Sequence, residues 1–361
     1  MIQKIKSAYK KHPSFFYWLF FGTGFIIDNL TFRRVDLLFE NIVIFSYLGI
    51  AGLSIILMNA YHKGELKSHP MKKLRNFLPL PMQYAFGGLF SGFVIFYARS
   101  SSIVASWPFL LILILLFIGN DLLKNRYARL TFQISIYYIA IFSFAIFYVP
   151  VVTKTIGAGT FIASGFVSLV VIRILIWIIR KINKSHIEKS RRMITLSIGS
   201  IYILFNVFYF TNIIPPIPLA LKETGIFHKI ERSAGNSYIA NGEKPPFYQP
   251  FELTSRTFAQ SGHETAYFWS AVFAPTDLKT NIFHKWMMFN EEDGVWTTID
   301  KIGYEIIGGR NNGYRGWTLK RNIEPGKWRV DVVTERDQLL GRTTFKVIET
   351  EIKQELQQVT L

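Results

Sequence analysis

One stretch of the chain, Gly308-Gly309-Arg310-Asn311-Asn312-Gly313-Tyr314-Arg315-Gly316-Trp317, sets two guanidiniums and two aromatic rings on a glycine-rich turn. A guanidinium forks onto phosphate or carboxylate, and an aromatic face stacks on flat or sugar-like groups. Arg310, Tyr314, Arg315 and Trp317 are therefore the ligand-binding residues this sequence offers. A plainer reading competes: Asn-Gly is a hairpin signal, and its flanks are then ordinary strand. A second set lies in or beside long apolar runs: Asp28, Arg33, Arg34, Asp36 and Arg173. Ionisable groups at membrane depth are costly and mark sites. Against that, Asp28 can pair with Arg33 or Arg34 at an interface, and Arg173 can extend its stem toward the level of Arg180.

What is missing narrows the chemistry further. The chain has no cysteine, so disulfides, thiolate metal sites and cysteine nucleophiles are excluded. All seven histidines (His12, His62, His69, His186, His228, His263 and His284) lie outside the apolar runs, which removes an intramembrane base or proton relay. Ser261, His263 and Glu264 are sequence neighbours, but neighbours make no triad without a third aligned group and an oxyanion hole. His284 and Trp286 alternate onto one face and read as core and edge. No catalytic residue, metal site or cofactor follows from these residues.

The elements that must position such groups fall into two halves. Of 361 residues, 50% are hydrophobic and 18% charged, with a net charge of +17. Residues 1–214 hold 23 Lys/Arg against 6 Asp/Glu, whereas residues 215–361 hold 18 of each. The positive excess therefore sits with the apolar runs, in clusters between them, which is a membrane pattern rather than a nucleic-acid one. About seven spans are expected, at Ser14–Leu30, Asn41–Tyr61, Met82–Ala98, Ser102–Asn120, Thr131–Val151, Phe161–Ile179 and Met193–Ile214. Alternate connections carry 18 Lys/Arg and the opposite set only Arg33, Arg34, Arg99 and Lys154. That asymmetry puts the N-terminus in the cytoplasm and the C-terminal half outside. Small residues such as Gly88 and Gly92 read as close helix packing within the chain.

Beyond the helical domain (1–214), residues 215–250 read as a proline-rich linker with a short interfacial helix over Leu219–Ile230. Residues 251–348 change period. Seven short aromatic and β-branched segments, separated by turn signals such as Asp293-Gly294 and Pro325-Gly326, predict an extracytoplasmic immunoglobulin-like β-sandwich. Trp328, Val330 and Val332 alternate with Lys327, Arg329 and Asp331, as one buried and one exposed strand face require. Residues 349–361 read as a polar tail.

Three separated stretches, Gly22–Asp36, Ile214–Ile230 and Gly308–Val347, resemble an uncharacterised bacterial polytopic membrane family whose C-terminal module is the domain of unknown function numbered twenty-nine fourteen. The resemblance implies an inner-membrane protein with a small extracytoplasmic β module, and brings no activity, ligand or catalytic residue with it. Together these readings describe a non-enzymatic membrane protein. The lipid bilayer is one partner; the β module binds another in the envelope, a protein, an anionic glycan or an anionic lipid, and no nucleic acid. The main rival makes the bundle the active part, as a transporter or lipid-handling protein with Asp28, Arg33, Arg34, Asp36 and Arg173 along its path. A membrane enzyme built on carboxylates such as Asp28 and Asp36 ranks last.

Overall fold

The structure, a computed structural model, describes residues 23–32, 34, 36–63, 79–100, 103–122, 129–233, 237–247, 249, 252–262, 264–310, 312–351 and 356–361. Arg33, His12, His69, His263 and most of the first expected span lie outside them. Among the described residues seven helices come first: α1 (residues 23–31), α2 (Leu38–Lys63), α3 (Pro79–Arg99), α4 (Ile103–Leu122), α5 (Leu130–Thr153), α6 (Ala158–Ile182) and α7 (Lys184–Phe210). Four of them, α2, α5, α6 and α7, are long and apolar enough to cross a membrane. The chain then becomes β-rich, so several apolar helices precede a β unit as the composition requires.

The structure divides into two compact units. The first holds most of the helical residues. Its centre is α3 and α5, where rings such as Phe86, Phe90, Phe93, Tyr138 and Phe142 are fully enclosed. Glycine permits this density. A β-carbon at Gly88 would come within 2.4 Å of the Tyr47 ring on α2, and one at Gly92 within 3.1 Å of Ile44. The small-residue stripe of α3 thus packs inside the chain, where helix backbones approach closely. Several buried polar groups there are paired: Tyr97 donates to the Ser143 carbonyl at 2.9 Å, Tyr137 to the Leu48 carbonyl at 3.2 Å, and Asn59 to Gln133 at 3.2 Å. By contrast α6 and α7 keep large apolar side chains such as Phe166, Trp177, Leu196 and Ile203 exposed, a surface suited to lipid.

The second unit takes in residues 206–361 together with residues 98–107 and 149–161. Its eleven strands among the described residues are β1 (Ala220–Phe227), β2 (Lys229–Arg232), β3 (Tyr238–Glu243), β4 (Thr257–Gln260), β5 (Ala266–Phe273), β6 (Lys279–Asn290), β7 (Val295–Ile307), β8 (Tyr314–Lys320), β9 (Gly326–Thr334), β10 (Leu339–Glu349) and β11 (Leu356–Thr360). They form three sheets, ordered β4-β10-β9-β6-β7, β1-β5-β8 and β11-β3-β2. β4 runs parallel to β10 and all other pairs are antiparallel. The main core lies between the five-stranded sheet and β1-β5-β8, with Phe268, Trp286, Trp328, Val330 and Phe345 enclosed. A smaller one joins β1-β5-β8 to the third sheet through Phe227, Ile230, Ala240, Trp269 and Leu361.

Three expectations need correction. Leu219–Ile230 is not an interfacial helix but β1 and the start of β2. The reason is visible at Ile226 and Phe227, adjacent residues buried in the two different cores; only a strand sends neighbours to opposite faces. The β region therefore begins at Ala220 rather than 251, and residues 215–250 are not a linker. Residues 349–361 are not a free tail: β11 pairs with β3, and Leu361 is buried.

Inside this unit the helix ends meet the strands. Lys154, just past α5, pairs with Asp277 at 2.7 Å. The Arg336 guanidinium, in the β9–β10 turn, lies 4.2 Å from the Tyr209 ring centre and 5.3 Å from that of Phe210. Asn212 donates to the Arg336 carbonyl at 3.2 Å.

Candidate functional site

Strand alternation puts one row of each strand into the core and the other outside. In the five-stranded sheet the outer rows line up across strands. Arg342 lies opposite Asp331, which lies opposite Lys285, which lies opposite Lys301. Thr344, Arg329, Met287 and Thr298 form the next row, and Lys346 stands opposite Lys327. One sheet face thus carries six cations, with Asp331 among them and Glu305 toward one end.

Aromatic rings on the same face hold several of these cations. The Lys301 ammonium is 4.8 Å from the Phe283 ring centre, the Lys327 ammonium 5.2 Å from that of Phe289, and the Arg329 guanidinium 4.6 Å from that of Trp296. Phe289 and Trp296 are themselves 5.1 Å apart. Such stacking fixes a flexible side chain at little cost in solvation. Asp331 organises the two arginines. It accepts from Arg342 Nε and the terminal nitrogen at 2.7 and 2.8 Å, and Arg329 Nε lies 3.2 Å away as an ion pair without hydrogen-bond alignment. Burial lowers the Arg329 pKa against the pull of Asp331, while hydrogen bonds to Asp331 raise that of Arg342. Of the lysines, Lys301 also reaches Asp337 at 2.9 Å and Lys327 reaches Glu291 at 3.8 Å. Lys285 and Lys346 have no ion-pair partner among the described residues. The arrangement can neutralise a series of negative charges on a flat partner; it holds no nucleophile beside a base.

The hairpin residues do not gather into one cluster. Arg310 is exposed, and its guanidinium lies 5.1 Å from the Tyr314 ring centre. Tyr314 leans on the main core. Arg315 and Trp317 share the other face of β8: Arg315 donates to the Leu361 carbonyl oxygen at 2.9 Å, and Trp317 packs against Tyr267 at 5.5 Å. In the helical unit, Asp28 accepts from Ser91 at 2.6 Å, and Arg34 pairs with Asp36 at 2.6 Å. Arg34 therefore takes Asp36 as its partner, and Asp28 is held by a hydroxyl. Arg173 is exposed on α6 and lines a cavity between α6 and α7.

Two further polar clusters were not visible as such in the sequence. His284 is fully buried, with Ser270 at 2.8 Å from Nε2 and Thr318 at 3.0 Å from Nδ1. Tyr304 touches Ser270 at 2.7 Å, and Trp286 donates to Thr318 at 3.0 Å. Burial pushes the imidazole down to about 3 and raises the Tyr304 phenol. This is a neutral, satisfied network closed to solvent, and Ser270 is no accessible nucleophile. His284 and Trp286 are both core. Near the surface, His228 reaches Glu264 at 2.9 Å and Glu243 at 3.4 Å and stacks on Phe258. Burial pulls its pKa down, but the two carboxylates outweigh that and raise it. Both ring nitrogens are thereby occupied.

Residues 279–347 match a family described as "Protein of unknown function (DUF2914)", in agreement with the resemblance read from the sequence. The match contains all six cations of the sheet face. No curated protein matches the chain. Among solved structures, the Pseudomonas fluorescens alkylpurine DNA glycosylase AlkC, bound to DNA containing an abasic site analogue, aligns with 78% of this chain and 83% of its own. The TM-score is 0.21 and the identity 10%, too low to bear on fold or chemistry.

Proposed function

We propose that this is a non-enzymatic protein of the bacterial inner membrane whose β unit binds an anionic envelope glycan. In this reading the chain crosses the bilayer seven times, with its N-terminus in the cytoplasm and its β unit outside. The observation that carries the binding is the sheet face of Lys285, Lys301, Lys327, Arg329, Arg342 and Lys346, with one central carboxylate. A flat cationic lattice stiffened by rings suits a polymer with repeated carboxylates or phosphates. The exposed Arg310, stacked on Tyr314, is a second contact in the same reading; Arg315 and Trp317, on the other face of β8, are not part of it.

The strand order favours an immunoglobulin-like reading of β4 to β10. Their sheet β10-β9-β6-β7 corresponds to a G-F-C-C′ arrangement, and β5-β8 to the facing B and E strands. Trp286, enclosed on the third of these strands, occupies the place of the buried tryptophan of that fold.

The test is binding of the full chain, in lipid nanodiscs, to immobilised polygalacturonate and to neutral dextran. Polygalacturonate alone should bind, and more weakly as salt rises. Lys285→Gln, Lys301→Gln and Lys346→Gln together should weaken it at least about tenfold, and Arg310→Ala alone about twofold to threefold. Equal binding to dextran, or a triple variant that binds as the parent does, would remove the sheet face from the account. Orientation is checked separately. A single cysteine at Ser237 should react with an impermeant reagent from outside, and one at Ser185 should not.

A further inference from the structure

The α6–α7 pair carries a site that the β unit does not share, and it depends only on these two helices lying in a bilayer. The two run antiparallel. The Phe161 ring stacks on Tyr209 at 3.8 Å near one end, and Arg180 reaches Glu188 at 3.6 Å near the other. Between them is a cavity of about 560 Å³. Its walls are apolar, with Ile172, Ile176 and Ile194 among them, and its charged lining is Arg173, Arg180, Arg191 and Glu188. Glu188 is engaged by Arg180 and, at 3.9 Å, by Lys184. No carboxylate among the described residues pairs with Arg173 or Arg191. The Arg180–Glu188 contact sets the register: Arg191, three residues past Glu188, lies about 5 Å from the Arg180 level toward the apolar part, and Arg173 about 10 Å along α6 in the same direction.

A basic mouth over an apolar slot has the polarity of a lipid molecule. We infer that this groove binds an anionic phospholipid, its phosphate between Arg180 and Arg191, its ester region at Arg173 and an acyl chain against the isoleucine wall. Arginine suits the task because its fork meets a phosphate with two donors, and basic pockets between membrane helices recognise anionic headgroups in this way. Trp177, which also lines the groove, places an amphipathic ring at the level where headgroups meet chains.

Native mass spectrometry of the full chain released from vesicles of dioleoylphosphatidylcholine and dioleoylphosphatidylglycerol (3:1) tests this. The phosphatidylglycerol adduct should predominate, and millimolar inorganic phosphate should not displace it. Arg173→Ala with Arg191→Ala should reduce the adduct at least about fivefold. Lys189→Ala with Arg192→Ala removes the same charge from residues outside the cavity and should change it less than about twofold. Ile198→Trp fills the slot while keeping every charge, and should reduce the adduct even if the arginine variant misfolds. Equal loss from both charge pairs would mean bulk attraction and overturn the site. So would equal retention of phosphatidylcholine, displacement by free phosphate, or an unaffected Ile198→Trp adduct.

Discussion

Trp286→Ala should destabilise the β unit by about 3–5 kcal/mol, the largest effect of any single truncation in it. The indole is fully enclosed, meets Phe268 and Phe345 edge-on, and donates its one hydrogen to Thr318. Alanine leaves a cavity between two sheets that cannot collapse, because β6 is held on both sides by β7 and β9. It also takes from Thr318 a donor that the hydroxyl accepts in a dry interior. Calorimetry of the full chain in detergent reads the cost as a shift of the β transition. Trp317→Ala is the internal comparison: that ring is 38% exposed, and its loss should cost less than about 1 kcal/mol. Similar shifts for the two tryptophans would mean that the core is not closed around Trp286.

Acid should unfold this unit through His284. Burial holds the folded imidazole at about 3, whereas an unfolded histidine titrates near 6.5. Below about 6.5 the unfolded chain takes up a proton that the folded chain refuses. Stability then falls as pH falls, by about 1.4 kcal/mol per unit, until about pH 3. His228 acts with the opposite sign. Its folded pKa is raised, so its contribution is present below about 6.5 and is lost as pH rises through the folded value. Denaturant titrations between pH 7.5 and 5 should show the acid slope in the parent. His284→Gln should lose stability at neutral pH and lose that slope as well. A slope that survives His284→Gln would place the acid sensitivity elsewhere.

Much of this architecture was legible because its signals are local. Long apolar runs with basic connections announced the helices, and the alternation of Trp328, Val330 and Val332 with Lys327, Arg329 and Asp331 announced β9 and the two groups of side chains, although Asp331, expected on an exposed face, is buried by its arginines. What escaped is what depends on partners far along the chain. β1 carries Lys222, Glu223 and Thr224 and looks like an interfacial helix until β5 and the third sheet bury its two ends. β11 contains two glutamines and becomes a strand by pairing with β3. The cationic face was half visible, since Arg342, Thr344 and Lys346 alternate plainly. Its assembly was not, because β6 lies between β9 and β7 and nothing local places Lys285 beside Asp331. The Arg310–Trp317 stretch was prominent for the opposite reason: residues adjacent in sequence alternate across a strand, so Tyr314 and Arg315 part company.

The turn between α6 and α7 is a single non-helical residue, Asn183, whose side-chain oxygen accepts from the His186 amide and the Ser185 hydroxyl at 3.2 Å. So short a connection leaves no slack, and its length is as much a part of the groove as the arginines are. One added residue would swing α7 by about 100° about its own axis. Arg191 would then point away from Arg180, although every side chain named for the lipid would still be present.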